Sequence, residues 1–218
     1  MLKLSSPAPV LLNSLAAATP CYTPYPHWLL SHVLPEDVIE ALCTLPFTAP
    51  DITDTMGRRE THNTTRRFFG TQEQAEFPIC ATLAATLQDA RCIDILHNLT
   101  GANLQGSFLR IEYCQDSDGF WLEPHTDIGA KFFTMLIYLN DPPCEEDWGT
   151  DIYESSIKHL GTAPSGRNRG LAFVPGPHSW HGFEKRPITG IRRSLIVNYV
   201  TPEWRARHEL AFADQPIP

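Results

Sequence analysis

"GIRRSLIVNYV", residues 190–200, reads as a strand with two unlike faces. Alternation places Ile191, Arg193, Leu195, Val197 and Tyr199 on one side and Arg192, Ser194, Ile196 and Asn198 on the other, because successive side chains of an extended chain point to opposite faces. The first set is mostly apolar and suits a packed layer. The second begins with a guanidinium and a hydroxyl, which suit a polar interior only if something there pairs with them. Upstream, residues 107–114, 131–140, 150–154 and 170–174 are further β-branched and aromatic runs separated by Gly, Pro and Asp clusters, the pattern of short strands joined by turns.

The N-terminal half has a different period. Pro35 stands where a first helical residue is favoured, and Val38, Ala41, Leu42 and Leu45 follow at helical spacing until Pro46. Residues 78–98, with Ile79, Leu83, Leu87 and Ala90 near a helical period and Gly101 just beyond, predict the longest helix. Residues 1–26 carry Pro7, Pro9, Pro20, Pro24 and Pro26 and are expected to form an extended surface arm. Helices first and strands after predict a mainly β fold with flanking helices (α+β): a jelly-roll double sheet with the N-terminal helices packed on one outer face. There is no internal repeat. One domain is expected over 1–218, with an arm and supporting helices to 105, a β core over 106–200 and a tail over 201–218.

The bulk numbers agree with a single core. The chain has 218 residues, 42% of them hydrophobic, and a net charge of -8, so it lacks the basic excess that phosphate-backbone binding requires, and no nucleic-acid partner is expected. Six cysteines without a C-x-x-C pair suggest reduced thiols and a cytoplasmic location. The first twenty residues imitate a signal peptide only faintly, because Pro7 and Pro9 interrupt the apolar run. No segment approaches the roughly 20 apolar residues of a membrane span, and no membrane partner is expected.

Within "EPHTDIGAKF", residues 123–132, His125 and Asp127 stand one residue apart, a pair that chance supplies about half the time in a chain of this composition. On an extended segment the two side chains share a face, and a metal there needs one more ligand. "FVPGPHSWHGF", residues 173–183, offers His178 and His181; His181 is preferred, because His178 lies in a turn-like Pro-His-Ser context. His27, His32, His97, His159 and His208 have no carboxylate two residues away, and His62 has only Glu60, inside a polar loop. Two imidazoles and one carboxylate on one side of an ion form the facial triad of non-haem Fe(II) oxygenases.

Other residues bear on the same pocket. An inward Arg192 calls for an anion, either an acidic ligand or a structural carboxylate. Thr134, Leu136, Tyr138 and Asn140 share one strand face against Phe133, Met135, Ile137 and Leu139 on the other, so Thr134 and Tyr138 either meet a polar pocket or sit as ordinary strand residues. "GRRETHNTTRR", residues 57–67, reads first as a solvated loop and alternatively as an anion-capturing one.

With these residues in place, "LRIEYCQDSDGFWLEPHTD", "TMLIYLND", "WGTDIY", "SWHGF" and "GIRRSL", in this order, make the chain resemble the Fe(II)- and 2-oxoglutarate-dependent dioxygenases, in their prolyl-hydroxylase-like branch. The resemblance runs from about residue 107 to 200. It implies a double-stranded β-helix core and iron held by His125, Asp127 and His181. It also implies that Arg192 grips the distal carboxylate of 2-oxoglutarate with Ser194 nearby, and that Tyr138 and Tyr113 match cosubstrate-contacting positions. Arg193 competes with Arg192, since a one-residue slip exchanges their faces. The implied reaction consumes O2, gives succinate and CO2, and is supported by ascorbate. Asp127, which halogenases of this family replace by Gly or Ala, implies hydroxylation or another oxidation rather than halogenation. A small-molecule substrate is expected, with a protein side-chain hydroxylase as the alternative. A zinc hydrolase or a non-catalytic metal-binding jelly roll are the readings from other classes.

Overall fold

The computed structural model describes residues 4–59, 66–127, 129–141 and 147–218. Its strands are β1 (Thr19–Cys21), β2 (His27–Ser31), β3 (Arg67–Phe68), β4 (Phe108–Asp116), β5 (Leu122–His125), β6 (Lys131–Tyr138), β7 (Asp151–Ser155), β8 (Lys158–Thr162), β9 (Arg169–Phe173), β10 (His181–Phe183) and β11 (Arg192–Val200). They form two antiparallel sheets. The larger has the order β1-β2-β9-β6-β11-β4-β3 and the smaller β5-β10-β7-β8. From β4 onward the chain passes repeatedly between the two sheets, which is the expected jelly roll.

Register fixes which side chains meet. In β11, Ser194 lies opposite Tyr138 of β6 and Cys114 of β4, and Asn198 lies opposite Thr134 and Arg110. The apolar face predicted from residues 190–200 packs outward: Leu195, Val197 and Tyr199 join Phe133, Met135 and Ile137 of β6 in the main core. Covering them are α1 (Pro7–Ala16), α2 (Glu36–Cys43), α4 (Pro78–Gln88) and α5 (Ala90–Thr100), while the short α3 (Thr71–Glu76) leads into α4. Burying each large aliphatic side chain here contributes about 1.5–3 kcal/mol. Two tyrosines tie the layers together. Tyr113 Oη donates to Leu42 O at 3.0 Å and Tyr199 Oη to Leu87 O at 2.6 Å, both carbonyls of last helical turns, which lack intrahelical donors.

The helices correct two expectations. Residues 1–26 are not simply an extended arm: α1 starts at Pro7, with Leu11 and Leu15 at 1% and 0% exposure. Proline is tolerated in a first helical turn, where its missing N–H has no intrahelical acceptor to lose. The arm then supplies β1, which pairs with β2 just beyond it, and β2 joins the larger sheet at β9. The long helix over 78–98 is two helices, because Asp89 is extended (φ -63°, ψ 134°) and its carboxylate accepts the Arg91 N–H as an N-cap, a device worth about 1 kcal/mol. Gly101 closes α5 in the left-handed region at φ 74°, as expected.

The tail returns to the core: Ile217 is 1% exposed and its N–H donates to Ser107 O. No described helix is long and apolar enough to cross a membrane. Cys80, Cys92 and Cys114 are buried free thiols and Cys21 and Cys43 partly buried ones; Cys144 lies outside the described residues.

Candidate metal centre and its cavity

The last residue of β5 is His125 and the first of β10 is His181, and the two are direct partners across the smaller sheet. Their rings lie 4.3 Å apart. The pairing is close because Gly182 follows: a Cβ there would come within 2.7 Å of Leu122 O. His125 Nδ1 donates to Glu123 O at 3.0 Å and His181 Nδ1 to Ser179 O at 2.9 Å. A carbonyl only accepts, so each ring is held as the Nδ1–H tautomer with its Nε2 lone pair free to ligate.

Asp127 completes the group two residues past β5. Its Oδ1 is 3.9 Å from His125 Nε2 and its Oδ2 3.5 Å from His181 Nε2, and one ligand atom from each of the three lies within 4.8 Å of the others. Bonds of about 2.1 Å to one ion bring neighbouring ligand atoms to about 3 Å, so small side-chain shifts suffice. Electrostatics favour the ligating forms. Burial, then the neighbouring His181 ring, pushes the His125 pKa down to about 4. Burial alone would raise that of Asp127, but the Lys131 ammonium, which also donates to its Oδ2, holds it well below the usual carboxylate range. His178 is exposed in the turn before β10, away from the cluster. His62 lies outside the described residues.

A cavity of about 640 Å³ opens between the sheets beside this cluster, lined among others by Leu136, Thr150, Phe183, Arg192, Ile196 and Asn198. Arg192 is 2% exposed and points inward. Its Nη1 donates to Asp116 Oδ2 at 2.5 Å, its Nε donates to Trp148 O at 2.6 Å, and its guanidinium lies over the Phe183 ring. The two readings of an inward arginine therefore coexist: it is paired to a structural carboxylate and it lines the cavity. Two residues on, Ser194 is fully buried, and its hydroxyl has no hydrogen-bond partner among the described residues. Arg193 occupies the opposite face, as Leu195 does, and its N–H bonds Asn140 Oδ1.

Thr134 lines the cavity and accepts from Asn198 Nδ2 at 3.0 Å. Tyr138 faces the same interior, but its hydroxyl is committed: it donates to Thr150 Oγ1 at 2.9 Å and accepts from Thr150 N at 3.0 Å. Thr150, which the sequence reading passed over, presents the cavity wall there. Tyr113 requires a correction. It stands opposite Leu195 in register and so projects into the helix layer; the cosubstrate contact implied for it is excluded by the parity of β4.

That parity also exposes what was missed. Alternation along "FLRIEYCQD" puts Arg110, Glu112, Cys114 and Asp116 on the inner face, a pattern legible in the sequence. Arg110 donates to Glu112, Glu209 and Asn198 Oδ1, and Arg66 donates to both oxygens of Glu112. Arg59 reaches Asp116 at 3.2 Å. At its described ends, therefore, the loop over 57–67 is not simply solvated: Gly57, Arg58, Arg59 and Arg66 line the cavity. Residues 60–65 lie outside the described residues.

The chemistry available is a two-histidine, one-carboxylate metal site with an open side toward a cavity, and a cationic anchor with an unpartnered hydroxyl beside it. No family model matches the sequence, and no curated protein matches it. Among solved structures, a prolyl 4-hydroxylase from Phytophthora capsici shares 14% identity at a TM-score of 0.64, covering 94% of this chain and 69% of that one. A prolyl-4-hydroxylase from Pseudomonas putida shares 15% at 0.58, covering 91% and 98%. HygX from Streptomyces hygroscopicus, solved with nickel, 2-oxoglutarate and hygromycin B, shares 14% at 0.52, covering 80% and 82%. The protein has the jelly-roll fold of prolyl-hydroxylase-like 2-oxoglutarate- and Fe(II)-dependent oxygenases.

Proposed function

We propose that the protein is an Fe(II)- and 2-oxoglutarate-dependent oxygenase that hydroxylates a small molecule. The observation that carries the reading is that Arg192 lines the same cavity as His125, Asp127 and His181, with Ser194 buried and unpartnered two residues on along the same strand face. A metal hydrolase or a passive binding module has no general use for a buried guanidinium in the same cavity with an orphaned hydroxyl next to it on the strand. A buried hydroxyl without a partner costs about 1–3 kcal/mol, and a carboxylate held between Ser194 and Arg192 removes that cost while matching the cation. The three ligands fit Fe(II), which with 2-oxoglutarate and O2 supplies oxidation of a C–H bond to an alcohol, with succinate and CO2 as co-products.

The chain's own residues contribute binding and orientation. The His125 and His181 rings are oriented by Glu123 O and Ser179 O, which take Nδ1 and leave Nε2 as the ligating atom. Asp127 is kept ionised by Lys131. Thr150, positioned by Tyr138, forms the wall near the anchor, and Leu136, Ile196 and Phe183 exclude water from it. The cavity volume lies within the roughly 300–1,000 Å³ of small-ligand pockets, room for the cosubstrate and one further small molecule, which supports a small primary substrate.

A second reading, hydroxylation of a protein side chain, has one observation in its favour. A groove of about 370 Å³ beside Trp121, Pro124, Tyr153 and Ile157 shares Leu122 and Glu123 with the cavity wall and could seat an extended peptide. The buried free thiols support a reducing compartment, and we place the protein in the cytoplasm on that basis.

The deciding experiment is succinate formation from 2-oxoglutarate with Fe(II), ascorbate and O2, with amino acids, other metabolites and proline-containing peptides screened for stimulation. Stimulation by a free metabolite supports the first reading and by peptides alone the second. A metal-loaded protein that neither turns over nor binds 2-oxoglutarate contradicts both.

A further inference from the structure

The structure assigns Arg59 a positioning role at the cosubstrate anchor, an inference that rests on the 2-oxoglutarate reading above. Asp116, whose side chain is 4% exposed, joins two cations: Oδ2 takes Arg192 and Oδ1 takes Arg59 at 3.2 Å. The guanidiniums are supported alike. Arg59 lies over Phe120 at 4.7 Å and Arg192 over Phe183 at 4.5 Å, and the two rings are 5.7 Å apart. Ile52, Phe120, Trp148 and Phe183 form the apolar cluster around this bridge, where screening by water is weak and charge interactions are long-ranged.

Asp116 by itself serves Arg192 ambiguously. It fixes the guanidinium in the barrel, but a carboxylate beside the anchor repels the second carboxylate that the anchor is meant to hold. Arg59 resolves the conflict by taking the other oxygen of Asp116, which leaves the bridge cationic toward the cavity. Among the described residues Arg192 Nη2 makes no hydrogen bond, and Ser194 Oγ is likewise unpartnered. Both remain to receive an anion. Arg59 belongs to neither sheet, so the anchor's charge depends on a residue that the strands themselves do not supply. Arg58 beside it is exposed and faces Glu123 instead.

The test is a mutant cycle read by 2-oxoglutarate binding to the Mn(II)-loaded protein, by calorimetry, with Mn(II) affinity and thermal midpoint measured alongside. Arg59→Met is expected to weaken 2-oxoglutarate about tenfold or more while Mn(II) affinity changes less than about twofold. Asp116→Asn alone is expected to bind at least as tightly as wild type, and Arg59→Met combined with Asp116→Asn to recover most of the loss, because no charge then remains to neutralise. Arg59→Lys, which keeps the charge but loses the planar stacking on Phe120, serves if the methionine variant does not fold and is expected to bind 2-oxoglutarate more tightly than Arg59→Met and less tightly than wild type. Wild-type binding matched by Arg59→Met, or failure of Asp116→Asn to rescue a folded Arg59→Met, overturns the positioning role alone. Absence of 2-oxoglutarate binding by the wild type overturns the functional reading beneath it.

Discussion

Lys131 Nζ donates to Asp127 Oδ2 at 2.8 Å, the same oxygen that lies 3.5 Å from His181 Nε2. The first residue of β6 thus holds the carboxylate of the metal cluster in place, four positions along the chain from it. Hydrogen bonds to a ligating group commonly change metal affinity by about 10–100-fold. Lys131→Met is expected to weaken Fe(II) or Mn(II) binding about tenfold, measured by titration of the metal-free protein, while the thermal midpoint of that protein moves little. Unchanged metal affinity would show that Lys131 does not orient Asp127.

Arg192 and Arg193 separate the inner face of β11 from the outer. Arg192→Ala removes charge-assisted hydrogen bonds worth about 1.5–3 kcal/mol each, so the 2-oxoglutarate requirement is expected to rise about 100-fold with metal binding largely intact. Arg193→Ala is expected to leave it within about threefold. Steady-state kinetics in 2-oxoglutarate decide between them, and the opposite ranking would place the strand in the wrong register.

Tyr113→Phe tests the corrected position of that side chain. Loss of its bond to Leu42 O is expected to lower stability by about 1 kcal/mol, read by urea unfolding. The 2-oxoglutarate affinity is expected not to move, whereas a cosubstrate contact would make it fall.

Glu112 sets an acid limit on the fold. Burial would raise its pKa, but Arg110 and Arg66 outweigh burial and hold it well below its ordinary value of 4.5. A carboxylate depressed in the folded state contributes stability that is fully present above its unfolded pKa and is lost as pH falls below it toward the folded value. Unfolding free energy is therefore expected to fall as pH drops below about 4.5. Glu112→Gln is expected to cost about 3–5 kcal/mol near neutrality, because it leaves buried guanidiniums without their anion, and to flatten the acid decline. An equally steep acid limb in the variant would assign the effect to other carboxylates.

Much of the site was legible because its parts are local. His125 and Asp127 are near neighbours in sequence, Gly182 marks the close approach after His181, and strand alternation put Arg192 and Ser194 on one shared face, with Arg193 on the other as the competitor. The same alternation along residues 108–116 would have brought Arg110, Glu112 and Asp116 inside and Tyr113 outside; the family likeness outweighed it there. The helix at Pro7 and the break at Asp89 were missed for another reason: proline and aspartate act differently at a helix start than inside one, and periodicity is blind to that distinction.

By itself the sequence determined the fold class, the parity of the long strands and the residue types of the metal cluster, because side-chain alternation and turn chemistry are properties of adjacent residues. Only the tertiary structure decided that Arg59 meets Asp116, that Tyr138 is committed to Thr150 and that Glu209 closes on Arg110. Those partners lie 57, 12 and 99 residues apart on different elements, and a buried polar or charged group is satisfied by whatever group the packed sheets bring beside it.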